Sequence, residues 1–391
     1  MNRAELGFGA RDDCIRTDLG LRVGFDYWPA ATHAPGVGRY MRELVRALAA
    51  LSAHEGRPSL ALLDVGPEGE DLPEAALGLP RNGVLRRRWR AKRGWLRLLE
   101  GTLGMGAETW LGKISVFHRA HLIGPPNANA PQIVALAQAP QESDAAVRGA
   151  LARMAGVLVF NEYAKRALTR GYGLAAERVH VVPVGCDHWL RDLPAATQAR
   201  ERARILVLGA VRAQRGQVEI LRAFERLRGG GLDADLVICG RRGDDADRLD
   251  AALRSSPVRR DVRWIDEPLE SAMPELVAGS TLLVHLARDE WTAVTPLEAM
   301  SLGVAVVASR LPSFVEAMGE LADYVEADPA AAIDVGLDQA LARGFAKAQD
   351  AGQTARRRNL ASRFTWKANA CSTLRVYEQI ARRGTQSALV S

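Results

Sequence analysis

The chain has 391 residues, 48% of them hydrophobic and 25% charged, with 52 Lys and Arg against 46 Asp and Glu. This is the composition of a globular protein of roughly two to three domains at ~150 residues each, with ample core, and no run approaches the ~18 apolar residues of a membrane-spanning helix. The net charge of +6 suits anionic ligands without choosing among nucleotides, nucleic acid and lipid headgroups.

The first twenty residues contain no apolar leader core and read as a loose tail on a cytoplasmic protein. LRVGFDY (21–27) reads as a first strand. A loop follows, then a helix with Val37, Tyr40, Met41, Leu44, Val45 and Leu48 at i, i+3, i+4, i+7 spacing. Gly36 and Gly38 lie between strand and helix, where glycine lets backbone N–H groups approach a phosphate. Tight strand–helix turns also use glycine for steric reasons, and the full G-x-G-x-x-G of a dinucleotide site is missing.

Further strands are predicted at 59–65, 114–118, 132–136, 157–160 and 179–185. Between the first two of these, residues 81–97 read RNGVLRRRWRAKRGWLR, with no acid and with Trp89 and Trp95 interleaved. A solvated helix face has this composition, and so does a membrane-surface contact through Arg86, Arg87, Arg88, Arg90, Lys92 and Arg93. No nucleic-acid module surrounds the run, and no nucleic-acid partner is expected. His118 ends the strand ISVFH. Ligands of open α/β sheets bind at that end, although a lone histidine is commonly structural.

A second series begins after the polar stretch 191–204. ILVLG (205–209) is a strand, and Val218, Leu221, Phe224 and Leu227 mark the helix after it. Strands recur at DLVICG, VRWI, TLLVHL and VAVVAS. The chain from Pro329 onward reads as helical, closing with a helix from about Thr365 to Arg382. Arg212 and Arg215 follow ILVLG, placed either to clamp a diphosphate or to line a solvated loop. Asp233-Ala234-Asp235 and Asp245-Ala246-Asp247 match D-x-D, a match short enough to arise by chance, so no metal site is expected. The four cysteines are far apart and form no CxxC pair, so neither a zinc site nor a disulfide framework is expected. No hydrolase triad stands out.

The most informative stretch is Asp289 to Arg310, where Glu290 and Glu298 stand with seven residues between them. A strand precedes it, so one acid falls in the ligand-facing loop and the other in the first turn of a helix. Thr295-Pro296-Leu297-Glu298 also fits a capping box with Pro at the first helical position. The N-terminus of that helix favours an anion in either case.

Taken together, these segments resemble the retaining glycosyltransferases of family 4, over roughly Leu21 to Tyr377. The family hallmark EGFGLPxLEAMACGxPVVAS stands here, without a gap, as EWTAVTPLEAMSLGVAVVAS (290–309). GVGRYMRELVRAL is similar to the family's glycine loop and helix, NEYAKRALTRGYGLAAERVHVVPVGCD (161–187) to the end of its first domain, and FTWKANACSTLRVYEQI to its closing helix. The resemblance implies an α/β fold of GT-B type, two doubly wound Rossmann-like domains facing each other across a cleft. They would comprise an acceptor-side domain at 21–190, a nucleotide-sugar domain at 203–364 and a helix at 365–384 packing back towards the first.

It further implies that Gly36 and Gly38 lie near the donor diphosphate and that Arg215 replaces a phosphate-binding lysine. Glu290 would meet the transferred sugar and Glu298 the ribose. Backbone N–H groups around Val294 and Thr295 would face the diphosphate, and His118 matches a strand-end histidine. No metal and no cofactor are implied beyond a nucleoside-diphosphate sugar as co-substrate, with a glycan or lipid-linked acceptor in cell-envelope polysaccharide synthesis. The implied enzyme is a metal-independent hexosyltransferase on the inner face of the membrane.

Three departures stand out. Trp291 and Ala293 replace the two glycines of EGFG, Ala210 replaces an arginine, and Ala135-Leu136-Ala137-Gln138 lacks the histidine of the first domain's T-x-H-D. They motivate the alternative of a non-catalytic GT-B protein that binds a sugar nucleotide or a protein partner.

Overall fold

The structure, a computed structural model, describes residues 20–32, 36–68, 71–80, 83–140, 144–191, 193, 202–326 and 336–390. The N-terminal tail before Gly20, most of the polar stretch 191–204 and the segment just after Pro329 lie outside them. The chain divides into two compact units. The first runs to Val184 and resumes at Trp366, and the second is Gly185–Thr365.

The first unit is built on a parallel sheet of seven strands: β1 (Arg22–Asp26), β2 (Ser59–Gly66), β3 (Val84–Arg90), β4 (Val116–Arg119), β5 (Gln132–Ala135), β6 (Gly156–Val159) and β7 (Val179–Val181). Their spatial order is β3-β2-β1-β4-β5-β6-β7, and every pairing is parallel. Such sheets are covered on both faces, so their strands are continuous apolar runs rather than alternating ones. Val23, Phe25, Leu62, Val116 and Phe117 accordingly have no exposed surface.

Helix α1 (Val37–Ala50) buries Tyr40, Met41, Leu44, Val45 and Leu48 along one stripe. The closing helix, Trp366–Val390, belongs to this unit and buries Trp366, Leu374, Tyr377 and Ile380. Burial of each such side chain contributes roughly 1.5–3 kcal/mol. The Trp366 ring lies 5.9 Å from Tyr40 of α1, and Asn369 donates to the Pro183 carbonyl at 2.8 Å. Cys186 and Cys239 are free and buried.

The basic run departs from the expectation of a helix face. Its first half is β3, at the edge of the sheet, and helix α2 (Arg93–Leu103) follows. Side chains alternate along a strand, which sets Arg86, Arg88 and Arg90 on one face. There they meet acids distant in sequence. Arg86 binds Asp64 at 2.6 Å and Glu74 at 2.5 Å, Arg90 binds Asp64 at 2.9 Å and Asp71 at 2.7 Å, and Arg88 pairs with Asp71. Asp64 itself has no exposed surface. Those three arginines are therefore matched by acids, Arg86 and Arg90 at 15% exposure and Arg88 at the surface, and Arg87 and Lys92 are exposed as well.

The second unit repeats the plan with β8 (Ala203–Leu208), β9 (Ala234–Cys239), β10 (Val262–Ile265), β11 (Leu282–His285), β12 (Ala305–Ser309) and β13 (Asp323–Val325). Their order is β10-β9-β8-β11-β12-β13, again wholly parallel. The two-residue period divides the strands between two cores. Ile205, Val207, Leu236, Ile238, Leu282 and Val284 enter one, and Leu206, Leu208, Val237, Cys239 and Leu283 enter the other. Helix α3 (Gln217–Gly229) buries Val218, Leu221 and Phe224, with Leu227 packed at the rim of the first of these cores.

Asp64→Ala removes the shared partner of Arg86 and Arg90 and leaves two guanidinium groups at 15% exposure without it. The expected loss is about 3 kcal/mol, read as a lower denaturant midpoint for the transition that unfolds the first unit.

Candidate active site

In the second unit the strand order reverses between β8 and β11, whose connections leave in opposite directions and open a crevice beyond their C-terminal ends. Two loops border it. In the first, β8 runs into Gly209, at φ 121°. A Cβ on Gly240 would stand 2.1 Å from the Gly209 carbonyl oxygen, so the loops after β8 and β9 pack backbone against backbone. The fully buried Gln217 closes the turn. Its Nε2 donates to the Ala210 carbonyl at 3.1 Å and its Oε1 accepts from the Arg212 N–H at 3.3 Å. This staple sets Arg215 just before α3 and leaves the Arg212 side chain exposed.

The second loop leaves β11 at His285. The Ala287 N–H donates to Ser309 Oγ at 3.0 Å, and the Ser313 hydroxyl donates to the Glu290 carbonyl. Arg215 Nη1 and Glu290 Oε2 thereby meet at 2.9 Å, with the two side chains 24% and 16% exposed. His285 completes a triangle. Its Nε2 lies 2.8 Å from Arg215 Nη1 and 3.1 Å from Glu290 Oε2.

Burial pushes the Glu290 carboxyl up, but His285 and Arg215 outweigh it and hold the group below its usual range. Burial lowers His285, against the pull of Glu290 and with the help of Arg215. The ring is therefore neutral beside a carboxylate and a guanidinium.

Helix α4 (Val294–Ser301) starts earlier than the capping box requires. Its N-cap is Ala293, which makes no side-chain cap, and the Leu297 N–H already reaches the Ala293 carbonyl at 2.9 Å. Thr295 thus sits inside the first turn, and Glu298 points into the unit with no exposed surface, 3.3 Å from His188 Nε2. The cap reading of Glu298 is corrected to a buried carboxyl group facing His188. Val294 and Thr295 are partly exposed at the helix start, where the first N–H groups have no intrahelical acceptor.

The structure thus brings Arg215, Glu290, Val294 and Thr295 to one crest, and adds His285. Sequence reasoning passed over His285 inside TLLVHL, although a polar residue ending an apolar strand was the criterion applied to His118. It missed Gln217 as well. The D-x-D aspartates are engaged elsewhere: Asp233 and Asp235 with Arg202, and Asp247 with Arg242.

In the first unit, Gly36 is the N-cap of α1 at φ 68°. An added Cβ there would meet nothing within 4 Å, so backbone conformation, not space, demands glycine. Gly38 is buried in the first turn of α1. His118 has no exposed surface. Its ring stacks on Phe25 at 5.5 Å and its Nδ1 meets the Tyr377 hydroxyl. Burial lowers its pKa to about 3. In this position it is a neutral core residue.

Residues 192–358 match the glycosyl transferases group 1 family. The match falls within the second unit, Gly185–Thr365. The chain is 27% identical over 138 residues to the serotype-specific mannosyltransferase WbdA of Escherichia coli, covering 35% of this chain and 17% of that protein. The chain therefore spans under a fifth of the length of that relative. Among solved structures it is similar to sucrose-phosphate synthase from Thermosynechococcus elongatus, with a TM-score of 0.69 at 15% identity, over 92% of this chain and 99% of that one. It is also similar to Anabaena HepE in complex with UDP-glucose, with a TM-score of 0.61 at 14% identity, over 95% and 99% of the two chains. These likenesses show that the chain has the GT-B fold, built from the two doubly wound parallel units described above.

The pKa of His118 is depressed, so its contribution to stability is present above pH 6.5 and is lost as pH falls towards about 3. His118→Phe keeps the stacking and loses the Tyr377 contact, costing about 1–2 kcal/mol at pH 7.5. Near pH 4 the order reverses, with the variant unfolding at the higher temperature. Melting curves from pH 8 to 4 check the crossing.

Proposed function

We propose that this chain is a metal-independent retaining glycosyltransferase. In this reading it moves a hexosyl group from a nucleoside-diphosphate sugar to a glycan or lipid-linked acceptor in cell-envelope polysaccharide synthesis. The observation that carries it is the meeting of Arg215 and Glu290 at 2.9 Å beside the start of α4. One crest presents a cation and helix N–H groups for a diphosphate together with an ionised carboxylate for a sugar. HepE, with the same fold, is described in complex with UDP-glucose. The nucleotide sugar is the co-substrate in this reading, and no separate cofactor takes part.

The chemistry follows from charge. As the bond from the anomeric carbon to the diphosphate oxygen breaks, negative charge grows on the leaving group. Arg215, Arg212 and the N–H groups at Val294 and Thr295 lie where they can receive it. Glu290, kept ionised by its neighbours, stabilises positive character at the anomeric carbon. The acceptor oxygen bonds to that carbon on the face the diphosphate leaves, and its proton passes to the departing phosphate oxygen. Configuration is retained with no second carboxylate needed at the anomeric carbon.

The same proposal includes a peripheral contact with anionic membrane, carried by a surface narrower than the basic run. Trp89, Trp95, Leu98 and Leu103 are exposed at 41%, 59%, 51% and 66%, with Arg87 exposed just before the first and Lys92 between the first two. Aromatic and aliphatic groups flanked by exposed positive charge suit a headgroup layer. Among the described residues, no helix is long and apolar enough to cross a membrane.

A panel of nucleotide sugars, assayed for transfer and by calorimetry, tests the donor site. Glu290→Ala is expected to lower kcat by about 100-fold or more. Arg215→Ala should weaken nucleoside-diphosphate binding roughly tenfold to 100-fold, the worth of a charge-assisted hydrogen bond. Failure of every nucleoside diphosphate to bind would refute the reading. For the membrane contact, Trp95→Ala with Leu98→Ala should reduce co-sedimentation with phosphatidylserine vesicles several-fold, and unchanged sedimentation would remove that part.

A further inference from the structure

His285 is the one member of the crest for which the proposed reaction has no use. It ends β11, its side chain is 2% exposed, and its single Nε2 lies within hydrogen-bond distance of both Arg215 Nη1 and Glu290 Oε2. An imidazole nitrogen cannot serve both in the same way. A guanidinium only donates and a carboxylate only accepts, so Nε2 either accepts from Arg215 or donates to Glu290. The other ring nitrogen decides between them. Nδ1 is buried and makes no hydrogen bond. A proton there would be an orphaned buried donor, rarer and costlier than an under-used acceptor. The proton therefore sits on Nε2, and Glu290 Oε2 accepts from His285 and Arg215 together.

In this arrangement two donors converge on one oxygen, and the 2.8 Å between Nε2 and Nη1 sets like-signed hydrogens side by side. The crowding is relieved when Arg215 swings to another anion. Glu290 does not go with it, because the hydrogen bond from His285 remains. We propose that His285 is a positioning residue, holding Glu290 Oε2 through Nε2–H so that Arg215 can be given up to a phosphate while the carboxylate stays in place. The proposal rests on the donor-site reading of this crest. His285 touches neither sugar nor nucleotide in it and acts only through Glu290. Without His285, Arg215 becomes the remaining partner of the triangle for Glu290, and drawing it away costs more.

Two measurements on the full chain test this. In the first, 15N NMR of the histidine rings compares wild type with Glu290→Gln, and the His285 signals are assigned by their loss in His285→Gln. A neutral ring at pH 7.5, protonated on Nε2 and with a resonance that moves in Glu290→Gln, is expected. A proton on Nδ1, or an Nε2 signal indifferent to Glu290, would overturn the hold. In the second, UDP and GDP affinities are measured by calorimetry. His285→Phe, which preserves the ring volume, should bind about tenfold more weakly. His285→Gln, which restores an N–H donor, should stay within about threefold of wild type. Equal affinities for all three, or no rescue by glutamine, would overturn the coupling to Arg215. If wild type binds neither nucleotide, the donor-site reading fails and takes the phosphate step with it, while the NMR result still decides the bond between His285 and Glu290.

Discussion

The parallel pairing of β8 with β11 is the constraint on which the second unit's chemistry depends. Parallel strands must be joined by crossovers, and where crossovers depart in opposite directions no connection covers the strand ends. Arg215 and Glu290 are 75 residues apart in the chain, yet register leaves them little choice but to meet, since Leu282 faces Ile205 and Val284 faces Val207 along the shared ladder. The apolar ladder is continuous up to the last residue of β11. Polarity begins at His285 and returns at Arg288, Asp289 and Glu290 in the loop.

What the loops do at that edge is settled by side chains reaching to backbone. Gln217, Ser309 and Ser313 bind carbonyls or N–H groups of the two loops. Trp291, standing where related sequences have glycine, is buried, and its side chain hydrogen-bonds to Asp289. The substitution therefore converts backbone freedom into a packed anchor. Loops pinned in this way have little conformational entropy left to lose when a ligand arrives.

Much of this was legible in the sequence, and the exceptions are instructive. Continuous apolar runs located most strands because a sheet covered on both faces requires them. β3 was hidden because its charges, Arg86, Arg88 and Arg90, are neutralised by Asp64, Asp71 and Glu74, which are distant in sequence. A local reading sees seventeen residues without an acid and cannot see the acids across the ladder. β13, Asp323–Val325, is too short to carry a pattern. At the site, Arg215, Glu290 and the start of α4 came from position after a strand. The two histidines show the limit of that rule. His118 and His285 both stand late in a strand beside a point of order reversal, but pairing with Phe25 turns His118 into the aromatic core. Which way a strand-end side chain faces depends on its partner strand. Glu298 obeys the same logic, its surroundings being set by His188, more than a hundred residues earlier in the chain.

The closing helix gives the first unit a history as well as a shape. That unit is assembled from two stretches of chain, with the whole second unit between them. During synthesis the residues up to Val184 emerge with a groove along α1 and β4 still lacking Trp366, Leu374 and Tyr377. The second unit, continuous in sequence, has all of its strands before Trp366 appears. Domains fold as units while the chain emerges, so the later-made unit is the first that can be completed. Until then the nascent protein carries an unfilled apolar seam, a surface suited to transient chaperone binding.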